Sequence, residues 1–419
     1  MAISISRKVA GAVAATAALS LILGAGSVTA ATAAGSPLKI GALVPITGGL
    51  AAYAPVEVAG YQLAVDDINA AGGVNGQPVQ IQFADSSDTN SPNVAPASVN
   101  TLLTWGASVI AGAASSGVSK EVIDNIVAHK VVEISPANTS PDFTTWKDNG
   151  YYFRTAPSDF AQGSVIANQI ATDGNRKVAI IYQDSSYGNG LEGKANSVLK
   201  AKGVTVTGTF KFTTGETNFS SVVDSALASG PQAILLISYD EAKKAIPALQ
   251  AKKFAGNKIY FVDGNIADYS KETFASYISG AKGTLPGAKV PTSFQNRLIA
   301  SYAKHNNGAK LTEQAYGAES YDAIILSALA AQQGKANDGT TIRNNLTSVS
   351  EKGTVVTSYA AGLKALKAGK DIDYNGFSGP VEFDKNGDPA GASIGVYQYG
   401  ADGTYATHLL KVVAANAVK

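Results

Sequence analysis

The sequence predicts an α/β protein of two doubly wound lobes. Apolar, strand-like runs alternate with amphipathic helical stretches, which favours parallel sheets with right-handed crossovers. The alternation runs twice, once before and once after about residue 157. With a leader removed, about 385 residues remain, too many for one compact core and suited to two.

Leu38–Val44 reads as the first strand and Thr47-Gly48-Gly49 ends it. From about Ala54 to Ala71, Val58, Tyr61, Val65 and Ile68 fall on one helical face, and Gly72-Gly73 stops the helix. Pro78–Phe83 alternates as a strand, a helix follows through Val99, Leu102 and Leu103, and strands end at Gly112 and Ile134. The second series has strands at Lys177–Tyr182, Val204–Val206, Ala233–Ile237 and Lys258–Val262. Helices at about 189–202, 218–229 and 240–253 separate them, and a further helix at about 316–332 precedes a hairpin around Asp384–Asp388.

Arg7-Lys8, an Ala-rich apolar stretch and small residues at Ala30–Ala34 predict a secretory signal peptide over residues 1–33, not a membrane anchor. There is no cysteine, so a disulfide and a lipid-anchored cysteine are both excluded, and the mature protein is expected in the periplasm or secreted. Losing Arg7 and Lys8 takes the formal net charge from +1 to −1, with no basic surplus for nucleic acid.

Two polar loops, Ala113–Gly117 and Ser135–Ser140, each follow an apolar run and share one intervening helix. In a parallel sheet such loops open onto one crevice, where hydroxyls and a helix N-terminus suit a carboxylate. The alternative is that these residues simply make turns. Gly188-x-Gly190-x-x-Gly193 is a literal dinucleotide fingerprint, but four residues separate it from the preceding strand, and it reads better as a helix start presenting Tyr187. Asp384-x-Asn386-x-Asp388 begins like a calcium loop, yet Pro389 stands where the turn needs glycine, so a β-turn is expected. His129, His305 and His408 are scattered and neither Ser115 nor Ser116 lies in a nucleophile elbow. No metal, no cofactor and no catalysis are expected.

Taken in order, the first strand and turn, Asp66–Gly76, both loops, Tyr187–Gly190 and Phe383–Asp388 resemble the leucine/isoleucine/valine-binding protein family. These are type I periplasmic solute-binding proteins of branched-chain amino-acid ABC transporters. The resemblance covers essentially the whole mature chain. It implies three crossovers between the lobes, with residues 36–156 plus about 284–379 in lobe 1 and 157–283 plus about 380–419 in lobe 2. It also implies that Ser116 and nearby amides hold a ligand carboxylate. The Ala137 carbonyl, Thr139 and Asp263 would then receive its α-ammonium, while Tyr187, Tyr239 and Tyr53 wall its side chain. The family has glutamate where Asp263 stands, so this shorter carboxylate is expected to reach the ammonium after a small lobe shift or through water. The family often carries a disulfide beside the carboxylate loop; here Ser115 occupies that position, leaving packing and hydrogen bonds to hold the loop.

The expectation is therefore a monomeric, non-enzymatic protein that captures a small amino acid between its lobes and delivers it to ABC transporter permease subunits. Capture of an amide, urea or aromatic carboxylate, a sensory role, or an exported enzyme are the alternatives.

Overall fold

The computed structural model describes residues 35–287 and 290–416. The expected signal peptide, residues 1–33, lies outside them. Strands β1 (Lys39–Val44), β2 (Gln80–Asp85), β3 (Val109–Gly112), β4 (Val132–Ser135) and β5 (Tyr152–Arg154) form an all-parallel sheet in the order β2-β1-β3-β4-β5. Helices α1 (Ala54–Ala70), α2 (Val94–Trp105) and α3 (Ser116–Ala128) connect its strands. β3 and β4 are buried throughout, as strands covered on both faces must be.

After α4 (Asp159–Thr172) the pattern repeats: β6 (Lys177–Gln183), α5 (Ser186–Ala201), β7 (Thr205–Phe212), α6 (Ser220–Ala228), β8 (Ala233–Ile237), α7 (Ala242–Ala251), β9 (Ile259–Phe261) and β10 (Lys282–Pro286). The chain then returns through α8 (Thr292–His305), α9 (Gly317–Gly334), α10 (Gly339–Asn345), β11 (Thr354–Val356), α11 (Tyr359–Lys367) and β12 (Ile372–Tyr374). It ends in β13 (Gly391–Gln398) and β14 (Leu409–Asn416), which extend the second sheet antiparallel in the order β14-β13-β10-β9-β8-β6-β7. Stripped of that extension, both sheets have one strand order, and each reverses direction between its first and third strands. A ligand crevice forms at such a switch point, outside the carboxyl ends of the strands.

Helix α1 departs from its amphipathic reading. Val58 and Val65 are only partly buried, whereas Val56, Glu57, Ala59, Leu63 and Ala64 are buried. The cause is tertiary: α8 and α9 both pack on α1, so it is covered on more faces than a surface helix. α9 also packs on β3 and β4, which places the returning segment with the first sheet. The turn at Asp384–Asp388, read with the second lobe from about residue 380, packs on the first lobe instead. Its Gly387 carbonyl accepts from the Arg154 amide at 3.1 Å, and Phe383 meets Phe153 edge-on at 5.1 Å. It closes on one isolated bridge, Phe383 to Pro389, not on hairpin strands.

Candidate functional site

The two strand-end loops face each other and are knitted together. Ser135 Oγ donates to the Ala113 carbonyl at 2.7 Å and accepts from the Asn138 amide at 2.9 Å. Asn138 Nδ2 donates to the carbonyls of Ala113 and Ala114 at 3.0 and 2.9 Å, while its Oδ1 accepts from Tyr152 Oη. These bonds hold the two loops together in a chain that has no cysteine. Ser116 is the first residue of α3, where the opening amides have no intrahelical acceptor. Its hydroxyl accepts from the Ser140 amide at 3.3 Å.

Behind the second loop stands Arg154, fully buried and ion-paired with equally buried Asp388 at 2.6 Å. Its Nη1 donates to the carbonyls of Ser140 and Asn138 at 2.7 and 3.3 Å, one on either side of Thr139. Thr144 Oγ1 closes the ring by donating to Asp388 Oδ2 at 2.6 Å. The calcium-like motif thus ends in a carboxylate that neutralises a buried guanidinium, and the guanidinium fixes the loop backbone.

In the second lobe, Tyr187 stands in the first turn of α5, capped by Ser185 Oγ accepting from the Gly188 amide at 3.1 Å. A Cβ at Gly188 would lie 1.9 Å from the Gln183 carbonyl, and one at Gly190 would lie 2.5 Å from Pro141 Cδ in the opposite lobe. The glycines of the fingerprint therefore serve a tight helix start and the approach of the lobes. Gly190→Val is expected to prop the cleft open, weakening ligand affinity without touching ligand; small-angle scattering should show a larger radius of gyration with ligand present than for wild type.

Tyr187 and Tyr239 stack at 5.2 Å with their planes 17° apart, and Tyr239 Oη lies 3.4 Å from Ser115 Oγ across the cleft. Asp263 follows β9 and is the most heavily engaged group in the cleft. Its Oδ1 accepts from Tyr187 Oη at 2.6 Å and Gln162 Nε2 at 2.7 Å, and its Oδ2 accepts from Tyr316 Oη at 2.5 Å. Its carbonyl accepts from Tyr53 Oη at 2.8 Å. Burial pushes the Asp263 carboxyl above the usual range, and the Tyr187, Tyr316 and Gln162 donors oppose that shift.

Ser116, Ala137, Thr139, Tyr187, Asp263, Tyr239 and Tyr53, nominated from sequence, all line one cavity of about 20 Å³. That is room for little more than one water, far below the roughly 300–1,000 Å³ of small-molecule pockets, so the lobes must part before a solute can enter. Leu50, Glu57, Ala114, Gly264 and Tyr316 complete the wall, and no lysine, arginine or histidine is among the lining residues. The Thr139 hydroxyl is buried without a hydrogen-bond partner, as are both Glu57 carboxyl oxygens.

Sequence reasoning missed Tyr316 because it follows a loop without strand pattern. It precedes α9 in the left-handed region at φ 67°, sparsely populated by bulky residues, and sets its ring edge-on to Tyr53 at 5.7 Å. Glu57 was hidden because an acid in a helix's first turn is ordinarily a solvated partner of the dipole. Burial pushes its carboxyl up to about 8, and that of Glu319, also buried, up to about 8. Such groups bind more protons folded than unfolded between about pH 4.5 and 8. Stability should therefore fall as pH rises through that window, by up to about 1.4 kcal/mol per pH unit for each, and level off above it. Denaturant midpoints at pH 6 and pH 8 should differ less for Glu57→Gln than for wild type.

Among the described residues, no helix is long and apolar enough to cross a membrane. The family model for periplasmic binding protein matches residues 37–404. Leu/Ile/Val-binding protein homolog 3 of Brucella melitensis is 27% identical over 384 residues, spanning 91% of this chain and 96% of that one. BraC3, a Leu/Ile/Val-binding protein of Rhizobium johnstonii, is 27% identical over 378 residues, spanning 90% and 95%. Two solved structures share the fold. The branched-chain amino acid transporter substrate-binding protein LivJ from Streptococcus pneumoniae, in complex with isoleucine, has a TM-score of 0.71 at 23% identity and covers 91% of this chain and 100% of its own. An ABC transporter solute-binding protein of R. palustris, in complex with benzoate, has a TM-score of 0.69 at 15% identity and covers 91% and 98%. With two sheets of one strand order, a cavity at their switch points and a family match running nearly from end to end, the chain belongs to the periplasmic binding protein family.

Proposed function

We propose that the protein captures an α-amino acid in the cleft, outside the cytoplasm, and hands it to an ABC importer. The observation that carries this reading is the pairing of the buried Asp263 carboxylate with the unpartnered Thr139 hydroxyl in a cavity lacking any cationic side chain. An α-ammonium satisfies both, and an unpaired buried charge is too costly to leave standing. The ligand carboxylate is received by Ser116 and the N-terminal amides of α3, whose dipole favours an anion. The Ala137 carbonyl adds an acceptor for the ammonium. Leu50 and the rings of Tyr53, Tyr187, Tyr239 and Tyr316 enclose a side chain that is small or aliphatic, in keeping with the Leu/Ile/Val-binding names of the relatives.

Asp263 does not wait with a free carboxylate. The ammonium reaches it by sharing Oδ2 with Tyr316 or by displacing a tyrosine hydroxyl, since a carboxylate offers about four lone-pair sites and three are taken. Such charge-assisted bonds belong to the stronger class. Ligand that adds contacts to both lobes favours the closed form over the open one, which is the form read by transporter permease subunits.

Thermal unfolding of the mature protein with leucine, isoleucine and valine, and with benzoate and 4-methylpentanoate as acids lacking the ammonium, tests the reading. A ligand at a hundred times its Kd stabilises by about 2.7 kcal/mol. Stabilisation by the amino acids and not by the two acids is expected; the reverse pattern would transfer the assignment to aromatic or aliphatic carboxylates.

A further inference from the structure

Asp159 and Gln162 stand in the first turn of α4, where the chain has just passed from the first lobe to the second. Both are buried and neither lines the cavity. Gln162 commits both ends of its amide. Nε2 donates to Asp263 Oδ1 at 2.7 Å and to Asp159 Oδ1 at 3.2 Å. Oε1 accepts from Thr284 Oγ1 at 3.1 Å and from the Asp263 amide at 3.3 Å. Two acceptors on one side and two donors on the other leave only one orientation of the amide.

Asp159 reaches the other way. Its backbone amide donates to the Thr139 carbonyl at 2.7 Å, while its Oδ1 takes the Gln162 amide. The two cavity groups assigned above to an α-ammonium, Thr139 in the first lobe and Asp263 in the second, are therefore both tied to one helical turn at the crossover. Thr284 lies in β10, the last strand before the second crossover, so the same amide is anchored to a second connection between the lobes. A buried polar network with every contact of its central amide satisfied specifies one geometry.

We propose that Asp159 and Gln162 are positioning residues for ammonium recognition: they set the separation and orientation of the Thr139 and Asp263 acceptors across the cleft without touching the ligand. The inference rests on the amino-acid reading of the site. Its chemistry is selective, because it bears on the ammonium end and not on the carboxylate end, which Ser116 and α3 hold from elsewhere in the first lobe.

The test compares leucine with 4-methylpentanoate, the same molecule without its ammonium, by calorimetry or by competition at millimolar concentration. Gln162→Met, of similar shape and without hydrogen bonds, should weaken leucine about tenfold or more and leave 4-methylpentanoate within about twofold. Asp159→Asn keeps the backbone bond to Thr139 and an acceptor for Gln162, so it should retain leucine affinity within about threefold. A crystal structure of the Gln162→Met variant with leucine should show the Asp263 carboxylate turned from its wild-type orientation. Equal weakening of both compounds, or an unmoved Asp263 with unchanged leucine affinity, would overturn the proposal and leave the pair a merely structural bridge. A wild-type protein that binds 4-methylpentanoate as tightly as leucine overturns the amino-acid reading itself, a result separable from the variants' behaviour.

Discussion

Asp263→Asn should cost the protein its amino-acid ligand while leaving the fold intact. The substitution keeps the shape and one acceptor oxygen but removes the negative charge facing the ammonium. Leaving one partner of a buried pair uncompensated costs about 3–5 kcal/mol, a loss of affinity of about 150- to 5,000-fold. Stability should move little or rise, because burial already opposes the ionised form of Asp263. Calorimetry for affinity and thermal unfolding without ligand separate the two effects: affinity collapses and the empty protein melts no lower than wild type. Unchanged leucine binding by this variant would remove Asp263 from the site.

The second large effect is expected at Asp388, remote from the cavity. Arg154 and Asp388 are both fully buried, so Asp388→Ala strands a guanidinium that cannot shed its proton. A loss of about 3–5 kcal/mol in unfolding free energy follows, read from the denaturant midpoint. The double variant Arg154→Met with Asp388→Leu removes both charges together and should recover much of that stability. It should not recover ligand affinity, because the carbonyls of Asn138 and Ser140 lose the donor that holds the loop around Thr139. Stability and binding would then part company in one pair of substitutions.

Much of the fold could be read in the sequence because it rests on local signals. Helices expected at about 189–202, 218–229 and 240–253 are found at Ser186–Ala201, Ser220–Ala228 and Ala242–Ala251, since each repeats its apolar positions at helical spacing between turn residues. The cavity's first-lobe wall was legible for the same reason: Ser116, Ala137 and Thr139 follow strands that announce themselves as apolar runs. The second kind of information was not local. Glu57 reads as an ordinary first-turn acid, and only the packing of α8 and α9, more than two hundred residues downstream, buries it. Tyr316 stands at the very start of the helix expected at about 316–332, and its aim depends on a left-handed backbone that no neighbouring residue foretells. Arg154 and Asp388 meet across 234 positions of sequence. A buried charge pair of that range leaves no spacing signature, so the Asp384–Asp388 motif could be recognised as a turn without disclosing what it holds.

Tyr53 and Tyr316 belong to the first lobe, yet both donate to Asp263 in the second. The lobes are thus latched by groups that the protein itself supplies. Solute can enter only while the latch is undone, so capture proceeds at the encounter rate multiplied by the fraction of time the cleft stands open. The same two hydroxyls that lengthen a bound ligand's residence also slow its arrival. Removing one of them would quicken both steps, and the latch therefore tunes how briskly the protein exchanges its cargo as much as how tightly it holds it.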